Sequence, residues 1–248
     1  SEAVIDATKN SDYVYNFAGI SDIDLAKTNP IETIKYNIIG NVTILEACKI
    51  NKIKRYIYAS SLYVFSDKGS FYRSSKQSAE LFIENYFEEF GLEYTILRYG
   101  SLYGPRSDEN NWINRILKQA LLENKITRLG NGEELREYIH VKDAAQSSIE
   151  ILDKKYKNEC IILSGNQQIK ISNLLLMIKE ILKSNKEIKI EYLPKLVDTA
   201  HYNITPYSFK NKMAKKLTRP DYIDLGQGIL SLIEHLNEEL NKYEPQPI

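Results

Sequence analysis

The first hundred residues alternate short apolar runs with long helical patterns, and that alternation leaves few folds open. Residues 13–18 (YVYNFA), 55–59 (RYIYA) and 94–98 (YTILR) read as buried strands. Between the first two, Asn29-Pro30 opens a helix with Asn as N-cap, Pro at the first helical position and Glu32 three residues after the cap. Its apolar face is expected to run through Ile31, Ile34, Ile38, Val42, Leu45 and Cys48. A second helix, capped by Ser70, is expected to reach about residue 90, where Gly91 stops it. Strand, helix, strand, helix, strand in this order requires crossovers between parallel strands, and such crossovers cover both faces of the sheet. The fold class is therefore α/β on a parallel sheet. After residue 101 the pattern loosens. Helices near 113–122, 142–152, 172–182 and 225–240 alternate with short strands near Tyr138, Ile161 and Ile188, as in a smaller α/β lobe built on the first. The tail at 244–247 is expected to fray.

Formal net charge is zero and no block of five like charges occurs, so nothing favours nucleic acid or an anionic membrane as partner. No apolar run reaches the roughly 18 residues that span a bilayer, and no secretory signal is expected. Cys48 and Cys160, far apart in apolar surroundings, read as reduced thiols of a cytoplasmic protein.

The segment Tyr72-Arg-Ser-Ser-Lys76 carries the chemistry. On a helix, positions four apart share a face, so Tyr72 and Lys76 are neighbours. A phenol titrates near ~10 and is a poor base at neutral pH; lowering it by about three units needs roughly 4 kcal/mol, which a nearby cation can help supply. A strand ends at Ala59-Ser60-Ser61 just before this helix, and the C-terminal ends of parallel strands are where ligands bind. Strand-end turn chemistry would equally account for the two serines. Asn37 and Gly40 interrupt an otherwise apolar helix. Asn37 is read either as part of a polar relay behind Lys76 or as a satisfied structural amide, and Gly40 as a site of close helix contact.

At these residues a resemblance becomes specific. Asn16-Phe-Ala-Gly19, Asn37-Ile-Ile-Gly40 with the following Asn-Val-Thr-Ile-Leu-Glu-Ala, Tyr58-Ala-Ser-Ser61, Tyr72/Lys76, Leu97-Arg-Tyr-Gly-Ser-Leu-Tyr-Gly-Pro-Arg106 and Arg136-Glu-Tyr-Ile-His-Val-Lys-Asp143 occur in this order. The chain resembles the extended short-chain dehydrogenases/reductases, in the NAD-dependent nucleotide-sugar epimerase/dehydratase group. The resemblance implies a Rossmann-like sheet over residues 1–106 that also receives later segments such as 126–165, with 107–248 forming mainly a substrate lobe. It implies NAD as cofactor, with NADP left open, and no metal. Catalytic roles would fall to Tyr72 as proton acceptor, Lys76, Ser61 and Asn37. Cofactor contacts would come from Ala18, Gly19, Ala59, Ser60, Tyr72, Lys76, Tyr99 and Gly100. A nucleotide-diphosphate sugar would meet Ser61, Ser101, Asn111, Arg136, His201 and Tyr202. Taken outside these motifs, Arg136 reads as a surface ion pair, Asn111 as a helix cap, and His201 and Tyr202 as a structural loop. His140 reads as a core histidine. The implied reaction is 4-epimerisation through a 4-keto sugar, with a 4-ketoreductase or a non-catalytic sugar-nucleotide-binding scaffold as alternatives. A homodimer would form through helices 30–49 and 70–90.

The chain also departs from the family pattern. No G-x-x-G-x-x-G occurs, so the family's first strands and phosphate-binding turn are expected to precede Ser1. The polypeptide as read is expected to bind NAD weakly or not at all and to be inactive by itself. Leu62-Tyr63 follow Ser61 where the 4,6-dehydratases carry an Asp-Glu pair. Ser61 and Tyr72 are only 11 residues apart, which shortens the loop that helps wall the sugar site. Ser101 stands where the family usually has Asn, and residues 201–207 replace the usual substrate-lobe stretch.

Overall fold

Along the chain the strands are β1 (Tyr13–Asn16), β2 (Arg55–Ser61), β3 (Tyr94–Tyr99), β4 (Ser101–Tyr103), β5 (Lys125–Leu129), β6 (Leu135–His140), β7 (Glu159–Leu163), β8 (Gln168–Lys170) and β9 (Lys189–Leu193). The helices are α1 (Glu2–Thr8), α2 (Ile23–Thr28), α3 (Pro30–Ile34), α4 (Gly40–Ile50), α5 (Ser70–Phe90), α6 (Trp112–Glu123), α7 (Val141–Glu150) and α8 (Ile171–Leu182). A π-helical turn (Lys35–Ile39) joins α3 to α4, and a 3₁₀ turn (Leu62–Phe65) follows β2. This computed structural model describes residues 2–183, 187–194 and 201–206, all within one unit, residues 1–210. The helix expected at 225–240 and the expected frayed tail lie outside the described residues.

Four strands form a parallel sheet in the order β1-β2-β3-β7, with Tyr56 opposite Tyr94 and Ser61 opposite Tyr99. Its central strands are buried on both faces, which is why they read as near-continuous apolar runs. On one face Tyr56, Tyr58 and Ile96 pack against Leu45 and Cys48 of α4 and Ala79 and Ile83 of α5. On the other, Ile57, Leu97 and Tyr99 meet Ile139, Ala144 and Ile151 around α7. Burying each such aliphatic side chain contributes about 1.5–3 kcal/mol, so the sheet sandwiched by helices is the main store of stability. Outside this sheet, β4 runs parallel to β6, β6 antiparallel to β8, and β5 and β9 form a separate parallel pair, around a second apolar cluster. That cluster joins Ile116 and Ala120 of α6 to Leu174, Leu175 and Ile178 of α8. The short strands β4, β5 and β8 and the short helix α2 carry too little periodicity to be read from sequence.

The helix begun at Pro30 departs from expectation in its buried face. Ile31 is 68% exposed and Ile34 is also exposed, while Thr33, Asn37 and Asn41 are buried. The π turn accounts for this. The Gly40 N–H bonds Lys35 O, five residues back, so the helix phase slips and the apolar stripe turns inward only from Leu45 onward. Asn29 does not cap α3 with its side chain, which instead donates to Leu25 O and Thr28 Oγ1. Ser70 is the first residue of α5, and Gly69 takes the cap position. A Cβ at Gly40 would meet only Lys35 O at 3.5 Å, an ordinary contact, so close approach is not what that glycine provides.

Candidate active site

The C-terminal ends of β1, β2 and β3 open onto two cavities. One, of about 580 Å³, is lined by Ser61, Tyr63, Tyr72, Ser101, Asn111, Arg136, His201 and Tyr202, with Ser21, Asp22 and Asp24 around the start of α2. The other, of about 690 Å³, is lined by Tyr15, Phe17, Gly19, Ala59, Ser60, Lys76 and Ala144. Ser21, Ser61, Tyr72, Tyr99, Gly100 and Leu102 line both. Of the residues given catalytic, cofactor or substrate roles from sequence, Ala18 and Asn37 line neither, and nor does His140. The Ala18 N–H donates to Asn16 Oδ1. His140 is the half-buried N-cap of α7 and accepts from the Lys142 N–H.

The spacing of α5 puts Tyr72, Lys76 and Glu80 on one buried face. Lys76 Nζ donates to Ala59 O at 2.7 Å and lies 4.7 Å from the Tyr58 ring centroid and 5.8 Å from that of Tyr72. Burial lowers Lys76 to about 8, with the Glu80 carboxylate pulling the other way. Burial also raises the Tyr72 phenol, against a smaller lowering by the neighbouring Ser61 hydroxyl. The sequence argument had Lys76 depressing Tyr72. In the structure desolvation raises the phenol, and the ammonium faces a carbonyl and an aromatic ring.

Asn37 holds this machinery from behind. Its Oδ1 accepts from the Ile20 N–H at 2.7 Å, and its Nδ2 donates to Ile20 O and to Ser75 Oγ, each at 2.9 Å. Ser75 Oγ donates in turn to Tyr72 O. The loop after β1 is thereby tied to the turn of α5 that carries Tyr72, whereas Lys76 bonds Ala59. Gly19 makes this tie possible. Its φ is +143°, and a Cβ there would sit 2.7 Å from Asn37 Oδ1. Behind Lys76, Glu80 accepts two bonds from Arg98, at 3.1 and 2.8 Å, and one from Ser60 Oγ. Sequence reading missed Glu80 and Tyr63. The 72/76/80 spacing was a signal for the first. Tyr63 was marked only as a departure from a pattern.

In the lining of the first cavity the Arg136 guanidinium lies over the Tyr202 ring, 4.5 Å from its centroid. Asn111 caps α6, its Oδ1 accepting from the Asn114 N–H and its Nδ2 donating to Leu102 O. The nearby Arg128 is already committed to Glu134. Arg136 thus presents a planar cation in a half-buried wall, a setting that suits a phosphate. The second cavity is lined by Tyr15 and Phe17, whose rings stack at 6.0 Å, and by the buried Tyr72 and Lys76. A flat ring bearing a sugar with free hydroxyls, the nicotinamide-riboside end of NAD, fits that combination.

The family model for the NAD dependent epimerase/dehydratase family matches residues 1–163. A dTDP-D-glucose 4,6-dehydratase from Bos taurus is 23% identical, over 96% of this chain and 71% of its own length. A UDP-glucuronate 4-epimerase from Thermodesulfobacterium geofontis is 26% identical, over 73% of this chain and 59% of its own. Among solved structures, the UDP-N-acetylglucosamine 4-epimerase from Methanobrevibacter ruminantium M1, in complex with UDP-N-acetylmuramic acid, superposes with a TM-score of 0.74 at 26% identity, covering 83% of this chain and 70% of that one. With its parallel sheet, its Tyr72/Lys76 helix and the serine strand ending between two cavities, the chain belongs to the NAD-dependent epimerase/dehydratase family of enzymes.

Proposed function

We propose that the chain carries the catalytic tyrosine, lysine and serine of a nucleotide-sugar 4-epimerase, with NAD in the cavity of Phe17 and Lys76 and the nucleotide-diphosphate sugar in the cavity of Arg136. The observation that carries this reading is that Ser61 and Tyr72 line both cavities, where a group in one would meet a group in the other. When bound, NAD supplies the acceptor and donor of a hydride. Tyr72 takes the proton of the sugar's C4 hydroxyl and later returns it, while Ser61 donates a hydrogen bond to the same oxygen. Because burial holds the Tyr72 phenol up, its proton leaves readily only when positive charge joins the cavity. Lys76, at about 8, is poised to share or relay a proton and to hold ribose hydroxyls. Arg136 binds the diphosphate, and Ser101, Asn111, His201 and Tyr202 wall the sugar and nucleotide. Ala59, Ser60, Gly19 and Gly100 bound the nicotinamide side. Leu62 and Tyr63, in place of two carboxylates after Ser61, support 4-oxidoreduction over water elimination.

The same reading has two copies pair through helices 30–49 and 70–90, supported by the exposed Ile31, Tyr36, Ile39, Leu81 and Phe82. It has the enzyme work in the cytoplasm, supported by two free thiols, of which Cys48 is pushed up to about 12 by burial and so is inert.

Calorimetry with UDP-sugars tests the substrate half directly. The chain is expected to bind them, and Arg136→Leu to weaken binding about tenfold or more, the loss of hydrogen bonds from a charged donor being worth about 1.5–3 kcal/mol. Unchanged UDP-sugar affinity in Arg136→Leu would overturn the placement of the diphosphate.

A further inference from the structure

At the end of the parallel sheet opposite the catalytic residues, where β1 and β2 begin, lies another cavity, of about 640 Å³. Arg55 lines it and is only 2% exposed. Nη1 of its guanidinium donates to Ile151 O at 2.7 Å and to Asp153 O at 3.2 Å, just past the end of α7, which fixes the group in place. Among the described residues no carboxylate pairs with it, and its Nε has no hydrogen-bond partner. A buried cation is normally met by a counter-charge, because carbonyl dipoles offset only part of the lost hydration. Most other charges around the cavity are already engaged. Lys157 pairs with Glu93 at 2.5 Å and Lys54 with Asp12 at 2.8 Å. The Asp153 carboxylate caps the 3₁₀ turn Lys154–Tyr156 by accepting from the Lys155 N–H. Lys154 has no ion pair among the described residues. Two cations without a carboxylate, one buried and fixed and one exposed on a long stem, thus face one cavity, with Tyr13 supplying a flat ring and Leu152 an apolar wall.

We infer that this cavity binds the phosphate group of a phosphorylated small molecule, at a site separate from the one that holds the sugar nucleotide. The buried guanidinium offers the phosphate a planar fork at a set orientation, and Lys154 closes on it as a point charge carried by a flexible stem. The volume exceeds what an inorganic ion fills and leaves room for a sugar or a nucleoside against Tyr13 and Leu152. The site also has a physical link to the cavity of Phe17 and Lys76. Leu152 lines both cavities, and the carbonyls held by Arg55 lie at the end of α7, whose Ala144 and Ser148 line the second one.

The test titrates inorganic phosphate, glucose 1-phosphate and adenosine monophosphate into the ¹⁵N-labelled chain at low ionic strength, with chloride at matched ionic strength as control. The Arg55 Nε–H resonance, whose burial slows proton exchange, is followed by NMR and assigned by its loss in Arg55→Lys. Saturable shifts at this resonance are expected, with at least one ester binding about tenfold tighter than the free ion. Lys154→Glu, on an exposed turn where the fold is indifferent to it, is expected to weaken binding about tenfold or more. Arg136→Leu, which removes the cation of the sugar cavity, is expected to leave the shifts and affinity at Arg55 unchanged. Arg55 shifts no larger with the phosphates than with chloride, or an affinity unchanged in Lys154→Glu, overturn the site. Shifts that vanish in Arg136→Leu place the ligand in the sugar cavity and overturn it as well. Free phosphate bound as tightly as both esters overturns the assignment to a phosphorylated small molecule.

Discussion

Replacing Lys76 by Met is expected to stabilise the ligand-free protein at neutral pH and to do so less at alkaline pH. Lys76 is 6% exposed and lowered by burial from the ordinary lysine value of 10.5 to about 8. In the window between about 8 and 10.5 the unfolded chain therefore holds one more proton than the folded one, and stability rises with pH. Below the folded value the full cost of burying the charge is present. At about 1.36 kcal/mol per unit, that cost is about 3.3 kcal/mol at pH 7 and falls to about 1.4 kcal/mol at pH 9.5. Methionine matches the length of the stem and removes the charge. It also loses the bond to Ala59 O, which offsets about 1 kcal/mol of the gain. The net expectation is stabilisation by about 2 kcal/mol at pH 7, and a gap between the two proteins that narrows by about 2 kcal/mol on going to pH 9.5. Urea unfolding followed by circular dichroism at both pH values reads this. At a slope of about 2–3 kcal/mol/M the midpoint at pH 7 moves up by about 1 M or a little less. A Lys76→Met protein less stable than the parent at pH 7, or a gap that does not narrow with pH, refutes the claim that a desolvated ammonium stands in this cavity. Stabilisation as expected would mean that the side chain is retained for function against its cost to the fold.

Three further outcomes are open to measurement. Arg98→Met leaves the Glu80 carboxylate buried against Ser60 without its cation, and urea unfolding is expected to show a loss of about 3–5 kcal/mol. Gly19→Ala forces a Cβ against Asn37 Oδ1 in a backbone region that L-residues avoid. It is expected to cost about 1–3 kcal/mol, seen by differential scanning fluorimetry as a melting temperature lower by several degrees; an unshifted melt would show that the loop is not pinned. Phe82→Glu charges the exposed apolar face of α5. Light scattering after size exclusion is expected to give a monomer where the parent chain gives a dimer, and a parent that is itself monomeric at high micromolar concentration would remove that surface from consideration.

The strands β2 and β3 were legible because a parallel strand buried on both faces must be apolar throughout, and short runs such as RYIYA hardly have another use; β1 was legible by the same apolar run, but it stands at the end of the strand order with Tyr13 exposed and Val14 and Tyr15 half-buried, so it is not the buried strand expected. Tyr72, Lys76 and Ser61 were legible because helical spacing and strand-end position are local properties. What escaped depends on contacts made across the chain. The exposure of Ile31 and Ile34 follows from a π turn, which has no composition of its own. Tyr63 became part of the cavity through His201, more than a hundred residues away. Glu80 acquired its role from Arg98 on a different strand. That burial raises the Tyr72 phenol could not be read from spacing either, since desolvation belongs to the cavity and not to the helix.

The extra residue carried by the turn at Lys35–Ile39 works as a phase shifter between two halves of one rod. Excising a single residue there would restore a regular helix and swing everything beyond it by about 100°. Leu45 and Cys48, now without contact to water, would rotate toward solvent, and Asn41 would lose Tyr56 and Asn16. A deletion of one amino acid in this stretch should therefore be harder to tolerate than most substitutions within it, and length at this point is under tighter physical constraint than identity.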